Sequence, residues 1–301
     1  MTYHNPVLLN QCIDGLCIKP TGIYVDVTFG GGGHSELILR HLKGGRLFAF
    51  DQDISANINH LSHPGFKLIN ANFRYVKNFL KLEGVKSIDG LIADLGVSSY
   101  QFDTPERGFS IRFTGELDMR MDTNSDLSAK DIVNEYTESD LANVFYRYGE
   151  LKNSRLIAKK IVSNRKLARI NTTDDLVSII SSLSPERNRN QFLARVFQSI
   201  RIEVNDEIKA LKEMLLSAQE LLKPSGRLVV LSYHSLEDRI VKNLLKKGNF
   251  EGKIEKDFFG NVLKRLKEIN TKVIVASDSE IKKNPRARSA KLRIGEKINY
   301  E

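Results

Sequence analysis

The segment Val25–Leu39, VDVTFGGGGHSELIL, sets four consecutive glycines between a β-branched run and an apolar pattern with helical spacing. Every glycine costs backbone entropy on folding, and one is enough for a tight turn. Four in a row between a strand and a helix mark a place where a ligand lies against bare backbone. The helix that follows offers N–H groups with no intrahelical partner, aimed outward at whatever sits there. Three ligand classes compete for such a loop. A triphosphate loop needs Lys and then Ser or Thr after its last glycine; His34 and Ser35 follow here, which disfavours it. A dinucleotide loop wants G-x-G-x-x-G; Gly30 and Gly32 fit, but the third position is Ser35. The remaining candidate is S-adenosylmethionine, whose sites also use a glycine-rich first loop, preceded by an acid on the first strand. Asp26 takes that place.

Outward from this loop, GIYVDVTF, GRLFAFDQD, FKLINANF and SIDGLIADLG are short apolar runs separated by helical or polar stretches. That alternation predicts a parallel α/β sheet whose strand C-termini share one edge, the edge where ligands of such sheets bind. Asp51 ends the second run and is placed to accept hydrogen bonds from a ribose diol, with Asp53 as a substitute. Nicotinamide and adenosylmethionine sites both want such an acid. Asn72-Phe73 ends the third run, where Phe73 can cover an adenine face. The fourth ends in ADLGVSS. Asp94 and carbonyls of the turn there can accept the hydrogens of an exocyclic amine, or face the amino group of a methionine moiety. A nicotinamide enzyme would instead need a hydride site with a His or Lys acid–base nearby.

After Ser99 the rhythm stops. Between Thr104 and Arg201 the patterns LSAKDIVNEY, SDLANVFYRYGELKNSRLIAKKIV, TDDLVSIISSL and NQFLARVFQSIRIEV are helical. Ser128, Thr137 and Thr173 are read as N-caps. This predicts an all-helical substrate-recognition domain over 105–204, inserted into a cofactor-binding domain of 1–104 and 205–301. The α/β rhythm resumes with the helix NDEIKALKEMLLSAQELL, a KPSG turn and the strand GRLVVLSYHS. A helix capped by Ser235 follows, and TKVIVAS and AKLRIGEKI are expected as closing strands.

Composition narrows the classes. Hydrophobic residues make up 41% and charged residues 28% of 301, and no apolar run approaches the roughly 18 residues of a membrane span. MTYHNPVLLNQ lacks a charged-then-apolar leader, so a cytoplasmic location is expected. Cys12 and Cys17 stand alone in a C-x4-C spacing that suits neither a zinc site nor a disulfide framework, and no metal is expected. Net charge is +9. Arg239–Lys297 holds 17 Lys and Arg against 7 Asp and Glu, a net +10, and Arg147–Arg169 is a second basic cluster. Two such clusters on one chain point to a polyanionic partner.

HNPVLL, TFGGGGHS, FAFDQD, DLGVSSYQFD, ERGFS, LDMRMD, FQSIRIEVN, LSYHSLEDRIVK and NPRARSAKLR follow one another from His4 to Arg293. In that order they are similar to the bacterial small-subunit ribosomal RNA (cytosine-N4)-methyltransferase H family, formerly called MraW. The resemblance implies a Rossmann-like methyltransferase sheet with an inserted helical domain. It implies S-adenosyl-L-methionine as cofactor and 16S rRNA, in the small ribosomal subunit, as partner. The implied reaction methylates N4 of one cytidine in the decoding centre, and the assembly is compatible with a homodimer. Cofactor positions carried onto this chain are Gly32, Gly33, His34, Asp51, Phe73, Asp94 and Gln101. Asp94, Ser98 and His234 are the candidates for the chemistry, and Ser235, Arg286 and Arg288 for the RNA face. The chain departs from the family pattern at Gly31, at Tyr100 and in a short segment between Lys253 and Ile281. Two other readings compete. A nicotinamide oxidoreductase lacks its third glycine here, and an RNA-binding protein without activity leaves the intact glycine loop unexplained.

Overall fold

The computed structural model describes residues 6–184 and 186–299. His4 and Asn5, which begin the first recurrent motif, lie outside the described residues. The chain divides into two compact units, residues 1–96 with 208–301, and residues 97–207.

The first unit opens with α1 (Leu9–Leu16) and then alternates β1 (Ile23–Asp26), α2 (Gly33–His41), β2 (Arg46–Asp51), β3 (Phe66–Asn70), α3 (Val76–Leu82) and β4 (Ile88–Asp94). The second unit holds α4 (Ser99–Asp103), α5 (Ala129–Glu135), α6 (Glu138–Arg147), α7 (Ser154–Arg165), α8 (Thr173–Ile180) and α9 (Arg189–Asn205). The chain then returns through α10 (Glu207–Leu221), β5 (Leu222–Ser232), α11 (Ser235–Lys247), β6 (Leu266–Glu268), α12 (Asp278–Lys283) and β7 (Lys291–Lys297).

Among the described residues the sheet has seven strands in the order β3-β2-β1-β4-β5-β7-β6. The strands from β3 through β5 run parallel, and β7 lies antiparallel between β5 and β6. This is the Rossmann-like methyltransferase arrangement expected from the sequence. Strand order reverses between β1 and β4, which opens a crevice beyond their C-terminal ends. Strand side chains alternate between faces, and both faces are apolar. Val25, Phe50, Leu91, Ala93 and Val230 pack with α3, α10 and α11 on one side, while Tyr24, Leu47, Ile92, Val229 and Leu231 pack with α1 and α2 on the other. A sheet covered on both faces needs continuous apolar runs, which is why these strands do not show the polar alternation of a half-exposed sheet.

Two strand expectations are corrected. KPSG does not end the helix as a separate turn but lies within β5, as an irregularity between the pairings Ile88 with Leu222 and Gly90 with Arg227. Ser225 takes φ +63° there. TKVIVAS is not a strand; Ile274 makes one isolated bridge to Leu292, and β6 supplies the edge instead. The cause is Asn270. Its Oδ1 accepts from the Ile294 N–H at 2.7 Å and its Nδ2 donates to the Leu292 carbonyl at 3.1 Å, so a side chain occupies the β7 edge where a ladder would continue.

The second unit is helical around its own core, which includes Leu117, Ile132, Phe145, Ile157, Ile161, Leu176, Val196 and Ile200. Val97 and Phe102 pack against that core, which brings α4 into this unit although the sequence reading placed it with the sheet. Ser128 and Thr137 cap α5 and α6. The cap of α8 is Thr172, not Thr173. Thr172 Oγ1 accepts from Asp175 N–H at 3.1 Å and Asp175 returns the bond at 2.9 Å, while the Thr173 hydroxyl donates to the Phe113 carbonyl. The long pattern SDLANVFYRYGELKNSRLIAKKIV divides into α6 and α7. Glu150 takes φ +49° at the break, and Arg195 donates to the Gly149 and Glu150 carbonyls, each at 2.8 Å. No helix among the described residues is long and apolar enough to cross a membrane.

Candidate active site

The four glycines do different jobs. Gly30 and Gly32 adopt φ +50° and +79°, the left-handed region that a side chain rarely tolerates. The Gly32 N–H donates to the Phe29 carbonyl and the Gly32 carbonyl accepts from Glu36 N–H, both at 2.8 Å, which turns the chain from β1 into α2. Gly33 begins the helix, and a Cβ there would sit 2.2 Å from Pro6 Cγ. Gly31 is exposed. Conformation therefore requires Gly30 and Gly32, and close packing requires Gly33.

Asp26 holds this loop from beneath. It is buried; its Oδ2 accepts from the Ser35 hydroxyl at 2.7 Å and its Oδ1 from the Thr28 N–H at 3.1 Å. That bond explains why Ser35 stands where a dinucleotide loop has glycine. Thr28 ties the loop to the next strand, its Oγ1 accepting from the Asp94 N–H at 2.6 Å.

Asp51 sits at the C-terminal end of β2 and meets the loop. Its Oδ2 accepts from Gly30 N–H at 2.8 Å and its Oδ1 from Asp53 N–H at 2.9 Å. Each oxygen keeps a lone pair for another donor. Burial pushes this carboxyl up from the usual range to about 6, against the pull of those two N–H groups. Asp53 is buried, and its Oδ1 caps the next turn, accepting from Ser55 N–H at 3.0 Å and the Ser55 hydroxyl at 2.7 Å. Phe73 starts a short turn after β3 and rests partly buried on the sheet core. Asn72 before it donates to Gln52 Oε1 at 2.6 Å, which draws the end of β3 toward that of β2.

Asp94 ends β4. The Tyr233 hydroxyl donates to its Oδ1 at 2.7 Å, and its Oδ2 lies 3.9 Å from Nδ1 of His34, a buried residue in the first turn of α2. The other ring nitrogen of His34 lies 3.3 Å from the Val7 carbonyl. Burial raises the Asp94 carboxyl, and His34 and Tyr233 pull it back. Burial first, and Asp94 second, push the Tyr233 phenol well above its usual range, so it stays a donor. Asp94 keeps 24% of its side chain open, which leaves it able to meet a ligand.

His234 is the N-cap of α11, correcting the assignment of that role to Ser235, which is exposed in the first turn. Glu237 Oε2 accepts from the Tyr233 N–H at 2.9 Å and the His234 N–H at 3.3 Å, and His234 Nε2 lies 3.1 Å from Glu237 Oε1. The imidazole is thus held within a capping arrangement. Arg286 and Arg288 lie in the turn Pro285–Ser289, with Arg286 partly buried and Arg288 exposed. Ser98 and Gln101 belong to the second unit, where they cap α4 reciprocally: Ser98 Oγ accepts from Gln101 N–H at 3.2 Å and Gln101 Oε1 from Ser98 N–H at 3.0 Å.

The first unit therefore gathers the glycine turn, His34, Asp51 and Asp94 along the strand C-termini. Thr28 and Tyr233 complete that edge and were not singled out from the sequence. Both are hydroxyl-bearing residues close behind the ends of β1 and β5, but their partners in Asp94 lie far away in the chain and nothing local marks them.

A glycine turn beside a carboxylate on the second strand is compatible with an adenosyl group. The chain is 58% identical over 299 residues to the ribosomal RNA small subunit methyltransferase H of Flavobacterium johnsoniae, covering 99% of each chain. It is 56% identical over 296 residues to the protein of the same name from Phocaeicola vulgatus, covering 98% of this chain and 97% of the relative. A solved structure of a putative rRNA-methylase from Clostridium thermocellum covers 99% of this chain and all of its own, at 13% identity and a TM-score of 0.45. The sequence profile of the MraW methylase family matches residues 1–298, and the chain belongs to that family.

Proposed function

We propose that this protein methylates the exocyclic N4 amine of a cytidine in 16S ribosomal RNA, with S-adenosyl-L-methionine as methyl donor. The observation that carries the cofactor half is Asp51. Its carboxylate is fixed by the Gly30 and Asp53 N–H groups and still has a lone pair on each oxygen, the donor-poor, acceptor-rich geometry a ribose diol requires. Gly32, Gly33 and His34 bring bare backbone and the N-terminus of α2 beside it, Phe73 offers an aromatic face for adenine, and Gln101 completes the set carried over from the family.

Bound there, the cofactor supplies a methyl group on a sulfonium, already an electrophile. The protein's task is positioning and charge placement. Asp94 accepts hydrogen bonds from an amine, and Tyr233 fixes which carboxylate oxygen is free to do so. A cytosine amine is a weak nucleophile because its lone pair conjugates with the ring. Acceptors at Asp94 and around Ser98 orient that lone pair, and the proton leaves after transfer, with His234 as a candidate relay. The target base leaves its stack to reach such a site. Ser235, Arg286 and Arg288 are assigned to the RNA face, the exposed Arg288 as a phosphate contact. The helical unit is assigned to substrate recognition, the substrate form to the small ribosomal subunit and the location to the cytoplasm. Nucleoside mass spectrometry of 16S rRNA from cells with and without the gene tests the reading. N4-methylcytidine should disappear on deletion and return with the intact gene; an unchanged nucleoside profile overturns it.

A further inference from the structure

Beyond α11 the chain forms a small hairpin that the site above does not use. Phe258 and Phe259 stand at its tip with 99% and 85% of their surface open. Phe258 is the most exposed large apolar side chain among the described residues. The two rings are 5.8 Å apart, edge to face at 87°, so each keeps an open face. A floppy loop would fold such rings inward to remove them from water. This loop is braced. The Asp257 carboxylate accepts from Phe259 N–H at 2.9 Å, Asn261 N–H at 2.8 Å and Asn261 Nδ2 at 3.1 Å. The Asp257 N–H donates to the Asn261 carbonyl at 2.9 Å, Gly260 turns the chain at φ +86°, and Leu263 N–H donates to the Glu255 carbonyl at 2.9 Å. At the base, Asn243 and Asn249 side chains bind the Phe250 and Lys253 carbonyls.

Charge identifies what the rings meet. Lys253, Lys256 and Arg265 are exposed on the hairpin beside the exposed acids Glu251 and Glu255, and the excess of positive charge lies in the wider segment Arg239–Lys297, which holds 17 basic against 7 acidic residues. The one acid at the tip, Asp257, has its carboxylate turned into the hairpin by those three bonds. A second copy of the chain, itself at +9, would approach against like charge. Rings with open faces beside basic side chains suit stacking on unpaired bases with phosphates held alongside.

We propose that the Phe258–Phe259 hairpin is a second RNA contact, gripping a single-stranded stretch of the substrate away from the methylated base. This rests on the proposed RNA substrate. Its distance from the cofactor edge follows from the topology. α11 leaves that edge and runs 13 residues, about 20 Å at 1.5 Å per residue. β6 then pairs Leu266 with Lys297, beside the β5 end that begins near Arg227. The hairpin therefore belongs to the opposite edge of the sheet, and only an extended substrate can reach both.

The chain contains no tryptophan, so Phe258→Trp installs a single tryptophan, selectively excitable apart from the tyrosines, at the tip of the full-length protein. Titration with an unstructured single-stranded RNA 12-mer should quench it, with saturation and a salt-sensitive midpoint. The double variant Phe258→Ala/Phe259→Ala should bind that RNA about 10-fold more weakly or worse, with unchanged S-adenosylmethionine affinity. It should also raise the apparent KM for small ribosomal subunits without lowering kcat. No quenching by RNA overturns the proposal. So does quenching or a blue shift caused only by anionic phosphatidylserine vesicles, or only by rising protein concentration as copies associate. If N4-methylcytidine persists in the cellular assay but the tip does not respond to RNA, the hairpin proposal fails alone. If the tip binds RNA but no methylcytidine depends on the gene, the functional reading fails instead.

Discussion

Acidification should release the cofactor, and Asp51 should be the reason. The carboxyl is raised from 3.8 to about 6, chiefly by burial. Only the ionised form offers acceptors to both hydroxyls of a ribose. With a midpoint near 6 it is ~90% ionised at pH 7 and ~10% at pH 5, so affinity for S-adenosylmethionine should fall about 10-fold over that interval, or about 1.4 kcal/mol. The same shift has a consequence for stability. A carboxyl that holds its proton more tightly folded than unfolded makes the fold less stable as pH rises from about 4 to about 6. Taken alone, the rise from 3.8 to about 6 corresponds to a loss of about 3 kcal/mol, regained on acidification. Cofactor affinity and this contribution to stability thus move in opposite directions with pH. Isothermal titration from pH 5 to 7.5 in two buffers of different ionisation enthalpy measures both the affinity and the protons released on binding. Asp51→Asn should bind more weakly at pH 7.5, by about 10-fold or more for a lost charged acceptor, and its affinity should no longer change with pH. An affinity flat from pH 5 to 7.5 in the parent refutes the argument. A 10-fold pH effect that survives Asp51→Asn and vanishes in Asp94→Asn would transfer it to Asp94, whose carboxyl is also raised by burial.

Three further outcomes follow from the geometry. Gly33→Ala places a methyl 2.2 Å from the Pro6 ring; it should destabilise the protein by about 1–3 kcal/mol through overpacking and weaken cofactor binding, read by thermal melting with and without ligand. Tyr233→Phe removes the donor to Asp94 Oδ1; kcat should fall and the acid limb of its pH profile should move up, because Asp94 loses a bond that favours its charged form, and an unmoved limb would remove Tyr233 from that role. Arg293→Met breaks the 2.7 Å ion pair with Asp238, in which both side chains are nearly buried; a loss of about 3 kcal/mol is expected in urea unfolding, moderated by Lys291 at 3.4 Å.

The parallel core of the sheet and its ligand edge were legible because buried strands need continuous apolar runs and because Gly30 and Gly32 stand where the backbone turns left-handed. Asp51 and Asp94 were legible as acids ending such runs. TKVIVAS shows where the reasoning stops. Its apolar residues promise a strand, but the side chain of Asn270, a long-range partner of β7, decides that the ladder does not form there. The caps shifted by one residue for a related reason. Thr172 and Thr173 are chemically alike, and only the position of Asp175 and the Phe113 carbonyl selects between them. At α11 the reciprocal partner Glu237 favours His234 over Ser235. Tyr233 was hidden because its acceptor lies 139 residues away in the chain, a distance over which local pattern carries no information.

That same separation governs how the chain comes together during synthesis. β4 and β5 are neighbours at the centre of the sheet, yet the whole helical unit is made between them. When β4 leaves the ribosome its partner does not exist, and the apolar side of Ile92 and Ala93 has no neighbour on that flank. Closing so long a loop costs entropy and slows folding. The inserted unit relieves part of that cost, since residues near both of its ends, Val97 and Val204, join one core. Once that core condenses, the loop β4 and β5 must close is effectively far shorter. The helical unit is thereby expected to fold first and to act as a clasp for the sheet, and nascent chains halted before β5 should contain a protease-resistant insert beside an unprotected β4.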